Sequence, residues 1–338
     1  MIRVAVNGYG TIGRRVAYAC SIQDDMDVVG IVKTRPDYIS QIASKKYDVY
    51  VPDAKALDKF RSAGINAKGT LHDLLGIADI VVDSTPEGTG AVNAPVYRAS
   101  KRKAVFQGGE ESGVAEASFN SYSNYSDSIS KESTRVVSCN TTGMARSIAP
   151  LLKTFGVKKV RATLIRRAAD QNDSKTGPIN AIEPSLKIPS HHAEDLKTVL
   201  GPLDVETTAF KVSTTLMHVH NISVETEKKP DIDSILDIWR SRRRIMIISG
   251  KDGRASTAQV LDMAREMGRD RSDLYELAIW KESVFIRDNN VSYIQAVHQE
   301  SIVVPENVDA IRAVSGITNG DESMTMTDSK LNIRGTVF

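Results

Sequence analysis

The chain opens on short apolar runs separated by amphipathic stretches. Arg3–Asn7, Asp27–Val32, Ile80–Asp83, Ala104–Phe106 and Arg135–Val137 read as strands, and Ile12–Ile22 and Pro52–Ala63 carry apolar residues at helical spacing. Strands alternating with helices predict a parallel, doubly wound sheet in the first part of the chain. The pattern then changes. Lys159–Arg166, Thr208–Val224, Ser283–Asp288 and Ser292–Ala296 alternate, which predicts a mostly antiparallel sheet with one face covered. Helices are expected at His192–Leu200, Asp231–Arg240 and Ala255–Met267. Between them Ala168–Ser190, with Asp170, Asn172, Gly177, Pro178, Pro184 and Pro189, reads as an irregular loop long enough to suspect function. Pro305, Glu306 and Asn307, followed by Val308, Ile311 and Val314, predict a capped helix returning to the first domain. The expected architecture is therefore α/β. Residues 1–138 and 300–338 form the doubly wound domain, and residues 139–299 form an α+β domain on the mostly antiparallel sheet.

Composition narrows the classes. At 338 residues the chain exceeds one comfortable core, so two domains are expected. Its 44 basic and 42 acidic residues leave a net charge of +2, too balanced to point to nucleic acid or an anionic membrane as partner. Two cysteines, Cys20 and Cys139, make no disulfide framework and suit a reducing compartment. No apolar run reaches the roughly 18 residues of a membrane span, so the expectation is a cytoplasmic protein.

Gly8, Gly10 and Gly13 form G-x-G-x-x-G directly after a strand and at the opening of a helix. The first glycine permits a tight turn, the second lets backbone approach a pyrophosphate, and the third allows close helix–strand contact. In that context the motif predicts a Rossmann domain binding a dinucleotide, with phosphates at the helix start. The second strand ends in Val32, Lys33, Thr34 and Arg35, with no carboxylate for a ribose 2′-hydroxyl. Lys33, Thr34 and Arg35 suit a 2′-phosphate, so NADP is expected alongside NAD or ahead of it; the alternative is ordinary solvated loop. Asp83–Pro86 and Phe106–Gly109 close later strands, where ligands sit in an open α/β sheet, or they only shape turns.

Arg135–Val137 delivers Ser138, Cys139, Asn140, Thr141 and Thr142 into a polar turn, and Met144, Ile148, Leu151, Leu152 and Phe155 follow at helical spacing. Pro150 should kink or restart that helix. Cys139 thus belongs at a helix N-terminus, where the dipole favours a thiolate nucleophile, whereas Cys20 reads as an inert buried thiol. A nucleophilic cysteine needs an acid or base beside it. In the strand pattern Thr214–His220 the period of two puts His218 and His220 on one face, and either could serve. No third ligand cluster accompanies them, so no metal is expected. His191 and His192 open a helix as an anion site or a capping pair. Arg166 and Arg167 end a strand, as phosphate ligands or surface ion pairs.

Asn7–Gly13, Ser138–Thr142, Arg166–Gln171, Leu216–His220 and His298–Ser301 stand in one order and spacing along nearly the whole chain. In these motifs the chain closely resembles the archaeal (type II) phosphorylating glyceraldehyde-3-phosphate dehydrogenases. The resemblance implies that Thr11 and Ile12 lie under the pyrophosphate, and that Gly109, Arg167 and Gln299 contact the cofactor. It implies a triose phosphate site lined by Ser138, Cys139, Asn140, His191 and His192, with Thr141 and Arg166 beside them, and His218 as the catalytic histidine. It further implies a homotetramer that uses both NADP and NAD, with NADP favoured. The substrates would be glyceraldehyde 3-phosphate and inorganic phosphate, joined through a hemithioacetal and thioester on Cys139 to give 1,3-bisphosphoglycerate. Rival readings are a semialdehyde or acyl-phosphate reductase and a cofactor-binding protein in which Cys139 is structural.

Overall fold

The computed structural model describes residues 1–107, 109–170 and 177–336; Gly108 of the third strand-end motif, and Gln171 and Asn172 of the expected loop, lie outside them. The chain divides into two compact units, Met1–Val137 with Val304–Leu331, and Ser138–Val303 with the segment from Asn332 onward. The segment expected to return from residue 300 thus begins at Val304, and residues after Leu331 run with the second unit. There Thr336 Oγ1 accepts from the Ile247 N–H at 3.0 Å, and the Asn332 carbonyl accepts from Arg269 Nη2 at 2.8 Å.

The first unit holds eight parallel strands: β1 (Ile2–Asn7), β2 (Met26–Val32), β3 (Val49–Val51), β4 (Gly69–Thr70), β5 (Ile80–Asp83), β6 (Lys103–Gln107), β7 (Ala117–Phe119) and β8 (Ser133–Val136). Their order is β4-β3-β2-β1-β5-β6-β8-β7, reversing direction of growth between β1 and β5. Val4, Ala5, Val6, Val81, Val82, Val105 and Phe106 are buried, as befits strands covered on both faces. The β3, β4 and β7 strands, two or three residues long, are too short to show a period in sequence. A side-chain network ties the strand ends at the reversal. Tyr97 donates to Asp83 Oδ2 at 2.5 Å, Asn7 Nδ2 donates to the Tyr97 oxygen at 2.6 Å, and Asn93 Nδ2 donates to Asp83 Oδ2 at 2.8 Å.

The second unit corrects the expectation of a mostly antiparallel sheet: its sheet is mixed. It comprises β9 (Val157–Arg167), β10 (Ile182–Pro184), β11 (Asp204–Val212), β12 (His218–Thr226), β13 (Ile245–Ile248), β14 (Leu277–Trp280), β15 (Phe285–Arg287) and β16 (Asn290–Val297). Strands β9 and β11 pair in parallel, as do β13 and β14, while β12 and β16 pair antiparallel with their neighbours. The cause is connectivity: the His191–Leu200 helix links β9 to β11, and the Thr257–Glu266 helix links β13 to β14, each as a crossover. The single run expected over Thr208–Val224 is two strands on opposite sides of β9. Residues 213–217 straddle the end of β9, where the Thr214 carbonyl accepts from the Ala168 N–H at 2.9 Å. Met217 there adopts φ +55°, a left-handed conformation that breaks the ladder just before His218.

Ser138 caps the Cys139–Phe155 helix, its Oγ accepting from the Thr141 N–H at 3.3 Å. The helix runs through Pro150 without the expected restart, because Met144, Ile148, Leu151 and Phe155 are buried along it. Burying four such side chains outweighs the roughly 3 kcal/mol of an interior proline. Among the described residues no helix is long and apolar enough to cross a membrane.

Candidate active site

In the first unit the glycine turn sits at the sheet's reversal point. Gly8 has φ +94°, and a Cβ on it would lie 2.7 Å from the Ser84 carbonyl carbon; on Gly13 it would lie 1.9 Å from the Gly8 oxygen. Around Gly10 a Cβ would meet nothing within 4 Å, which leaves an open cradle. The Gly13–Ser21 helix starts at Ile12 with no side-chain cap, Thr11 and Ile12 are half-buried, and the buried Ser84 Oγ has no hydrogen-bond partner among the described residues. Two closely packed glycines, one open one and an uncapped helix start fit a pyrophosphate. Gly109 is exposed, and a Cβ there would crowd Glu87.

At the end of β2, Lys33 is buried and Thr34 exposed. Sequence reasoning finds no carboxylate here, but the chain turns and brings one back: Lys33 Nζ lies 3.2 Å from Asp37 Oδ2. Asp37 also caps the following helix, accepting from the Ser40 N–H at 2.9 Å. Burial pushes its carboxyl up, but the Ser40 N–H and Lys33 outweigh that and hold it below the usual carboxylate range.

The second unit brings Ser138, Cys139, Asn140, Thr141, Arg166, Arg167, His192, His218 and His220 into one polar cluster. Cys139 is the first residue of its helix and half-exposed, whereas Cys20 is buried in the first unit and pushed up to about 12, chiefly by burial. Burial pushes the Cys139 thiol up, opposed by Arg167, then Arg166, then the main-chain N–H groups of Asn140 and Cys139 itself. Arg167 is ion-paired to Asp170. Among the described residues no carboxylate pairs with Arg166, whose buried Nε lacks a hydrogen-bond partner.

The period of two holds for β12: His218 and His220 both face inward. His218 Nδ1 accepts from the Arg167 N–H at 3.0 Å, and burial foremost holds this ring neutral, well below its usual value. His220 lies 3.0 Å from Asn140 Oδ1 through Nε2 and 3.1 Å from Gln295 Nε2 through Nδ1. His192 lies 3.1 Å from Asn140 Nδ2 through Nε2 and 3.1 Å from Ser190 Oγ through Nδ1. Burial foremost lowers His192 to about 2, and burial lowers His220 to about 3. Burial thus disfavours the imidazolium form of His192. Exposed His191 stacks on it at 3.9 Å between ring centres. Thr141 donates to Asp195 Oδ2 at 2.5 Å and shares a 3.0 Å bond with Ser138 Oγ. Sequence reasoning misses Asp37, Asp195 and Gln295. For Gln295 only the strand register, which sets it opposite His220, carries the signal. Gln299 is buried with both amide atoms unpartnered, a fit for a ligand carrying its own amide. Among the described residues no three histidine, cysteine or acidic side chains gather to hold a metal ion.

A Rossmann-like parallel sheet, in one chain with a cysteine-bearing mixed-sheet unit, is the architecture of a nicotinamide-dependent oxidoreductase. The family model described as "Glyceraldehyde 3-phosphate dehydrogenase, C-terminal domain" matches residues 138–283. The glyceraldehyde-3-phosphate dehydrogenase of Thermoplasma volcanium is 61% identical over 338 residues, covering all of both chains. That of Picrophilus torridus is 55% identical over all of this chain and 99% of its own length, and that of Methanothermus fervidus is 50% identical over 98% of this chain and 99% of its own. Aspartate semialdehyde dehydrogenase II from Vibrio cholerae superposes with a TM-score of 0.64 at 11% identity, over 93% of this chain and 98% of that one, a likeness of fold. The chain belongs to the glyceraldehyde-3-phosphate dehydrogenase family.

Proposed function

We propose that this enzyme carries out the phosphorylating oxidation of glyceraldehyde 3-phosphate to 1,3-bisphosphoglycerate, and its reverse, in glycolysis and gluconeogenesis. One observation carries the reading: Cys139 opens a helix under the pull of Arg166 and Arg167, with Arg166 left without a carboxylate among the described residues. Gly8, Gly10, Thr11, Ile12, Gly13, Gly109, Arg167 and Gln299 would hold the dinucleotide. When bound, it supplies a hydride acceptor.

The Cys139 sulfur, having released its proton to solvent, attacks the aldehyde carbon to give a hemithioacetal alkoxide. Main-chain N–H groups at the helix start and the His218 ring stabilise that oxygen. The Arg167 N–H occupies the lone pair of Nδ1, so the proton of the neutral ring sits on Nε2 and His218 acts as a donor. From the alkoxide, loss of hydride leaves a thioester with no further proton to remove. Inorganic phosphate then attacks the acyl carbon and expels the Cys139 thiolate. Arg166, with Ser138, Asn140, Thr141, His191 and His192 around it, would receive the triose phosphate. Splitting one hard step into two is the advantage of the covalent route.

Lys33 and Thr34 support use of NADP, preferred over NAD, within limits set by Asp37. Ile165, Ile294 and Phe285, exposed at 39%, 37% and 55%, lie on one face of the second sheet and support self-association, the proposed assembly being a homotetramer and the proposed location the cytoplasm. The test is nicotinamide absorbance with glyceraldehyde 3-phosphate, with and without phosphate or arsenate. Cys139→Ala should abolish turnover and Cys20→Ala should leave it nearly intact. Full rate in Cys139→Ala ends this reading, and turnover indifferent to phosphate points to a non-phosphorylating dehydrogenase.

A further inference from the structure

Six side chains form a directed hydrogen-bond chain behind the cysteine. Thr207 Oγ1 donates to the Ser190 carbonyl at 3.2 Å, so it accepts from the Ser190 hydroxyl at 2.7 Å. The Ser190 oxygen then accepts from His192 Nδ1, and His192 Nε2 accepts from Asn140 Nδ2. Asn140 Oδ1 accepts from His220 Nε2, and His220 Nδ1 accepts from Gln295 Nε2. With the Asn140 and Gln295 amides in these orientations, this set of tautomers satisfies every bond in the chain. Both nitrogens of His192 and of His220 are consumed, and both rings are neutral, so neither can exchange a proton with substrate.

The chain converges on the side chain of Asn140, the residue next to Cys139, whose main-chain N–H is among the groups that draw the thiol down. Its geometry depends on close packing of helix on sheet. A Cβ on Gly143, one turn along, would lie 2.5 Å from Val297 Cγ2 and 3.5 Å from Gln295 Nε2. Glycine there lets the helix start press onto β12 and β16, where Asn140 meets His220.

We propose that His220 and Gln295 are positioning residues: by clamping the Asn140 side chain they hold its main-chain N–H on the Cys139 sulfur and make that sulfur a better nucleophile. Other groups bear on the same cluster. Arg166 and Arg167 act from β9, His218 from β12, His191 and His192 from the His191–Leu200 helix, and Asp195 from that helix through Thr141. None of these is altered by substitution at Gln295, which makes that position the cleaner probe. The inference rests on Cys139 being the nucleophile, but its readout does not require turnover.

The experiment is the pH dependence of Cys139 alkylation by iodoacetamide on the full-length enzyme, with Cys20→Ala as background. Gln295→Leu and His220→Leu should move the alkylation midpoint up by about one pH unit, slowing reaction near neutrality about tenfold. His220→Gln, whose amide N–H can stand in for Nε2–H, should recover most of that loss. Turnover of the same variants should fall in kcat with KM for the aldehyde little changed. Should His220→Leu fail to fold, Gln295→Leu decides alone, since it does not touch Asn140. Folded variants with an unmoved alkylation midpoint overturn the proposal. Activity surviving Cys139→Ala instead overturns the nucleophile assignment beneath it.

Discussion

The main-chain N–H of Arg167 donates to Nδ1 of His218 at 3.0 Å. That bond links the last residue of β9 to the first residue of β12, and it fixes which ring nitrogen carries the proton. Imidazolium would set an Nδ1–H against the Arg167 N–H, adding to the burial that already disfavours it. In the proposed reaction His218 would therefore work as a hydrogen-bond donor throughout the neutral range. His218→Ala should lower kcat about 10²- to 10³-fold, as for loss of one oxyanion donor. No limb with a midpoint between pH 5 and 7 should be present in the wild-type kcat profile and vanish in the variant. Steady-state profiles of the two enzymes check this, and a histidine-dependent limb in that range would restore the role of base.

Arg166 and Arg167 pull the Cys139 thiol down against burial, which wins. Ionisation is lost below the raised value and gained above it, so alkylation of the free enzyme should rise with pH and reach half its limit above the roughly 8.5 of an ordinary cysteine. Arg166→Ala should push that midpoint higher and raise KM for the phosphorylated aldehyde about 10- to 100-fold, with an unphosphorylated aldehyde nearly unaffected. Equal KM changes for both aldehydes would remove Arg166 from the phosphate site.

Much of this was legible in sequence where the signal is local. Gly8, Gly10 and Gly13 mark a turn whose closeness to Ser84 and to the Gly8 oxygen tolerates nothing larger at two positions. Cys139 follows Ser138, an N-cap residue before an apolar run. Gln295 was not legible, because its pairing with His220 depends on register between strands 75 residues apart. Nor was Asp37, which reaches Lys33 only because residues 34–37 turn back into a helix. The mixed sheet could have been found: His191–Leu200 lies between β9 and β11, the strand–helix–strand signal already used for the first unit. Alternation describes which face is covered, not which way a neighbour runs.

Asp37 occupies the lysine that suits a 2′-phosphate. Asp37→Asn keeps an oxygen to cap Ser40 and removes the negative charge, so stability should change little. Binding of NADP to the apoenzyme should tighten about 3- to 10-fold with NAD affinity nearly constant, worth about 1 kcal/mol for freeing one partly buried ion pair. Titration calorimetry with both dinucleotides measures the ratio directly. An unchanged ratio would mean that Lys33 does not meet the 2′ position.

His192 and His220 are buried and neutral, with values of about 2 and about 3 against about 6.5 unfolded. Below pH 6.5 the unfolded chain takes up protons that the folded chain refuses, so the stability they contribute is lost as pH falls toward those low values. Each histidine should cost up to about 2 kcal/mol at pH 5. His220→Gln removes one such group, so the slope of unfolding free energy between pH 4 and 6 should fall by about one proton. An unchanged slope would show that the ring is protonated in the folded enzyme.

Gln299 offers a last test, because its cost and its use can be separated. Both amide atoms are buried and neither has a partner among the described residues. An unpaired buried polar group costs roughly 1–3 kcal/mol, and leucine has nearly the same volume without that penalty. Gln299→Leu should therefore leave the apoenzyme as stable or raise its melting temperature by a few degrees. If the amide is kept to pair with a dinucleotide's own amide, affinity for NAD and NADP should fall together, about tenfold, with no shift in the ratio between them. Thermal unfolding of the apoenzyme and dinucleotide titration on one preparation give both numbers. Stabilisation without loss of affinity would take Gln299 out of the cofactor site, and loss of both would make it structural.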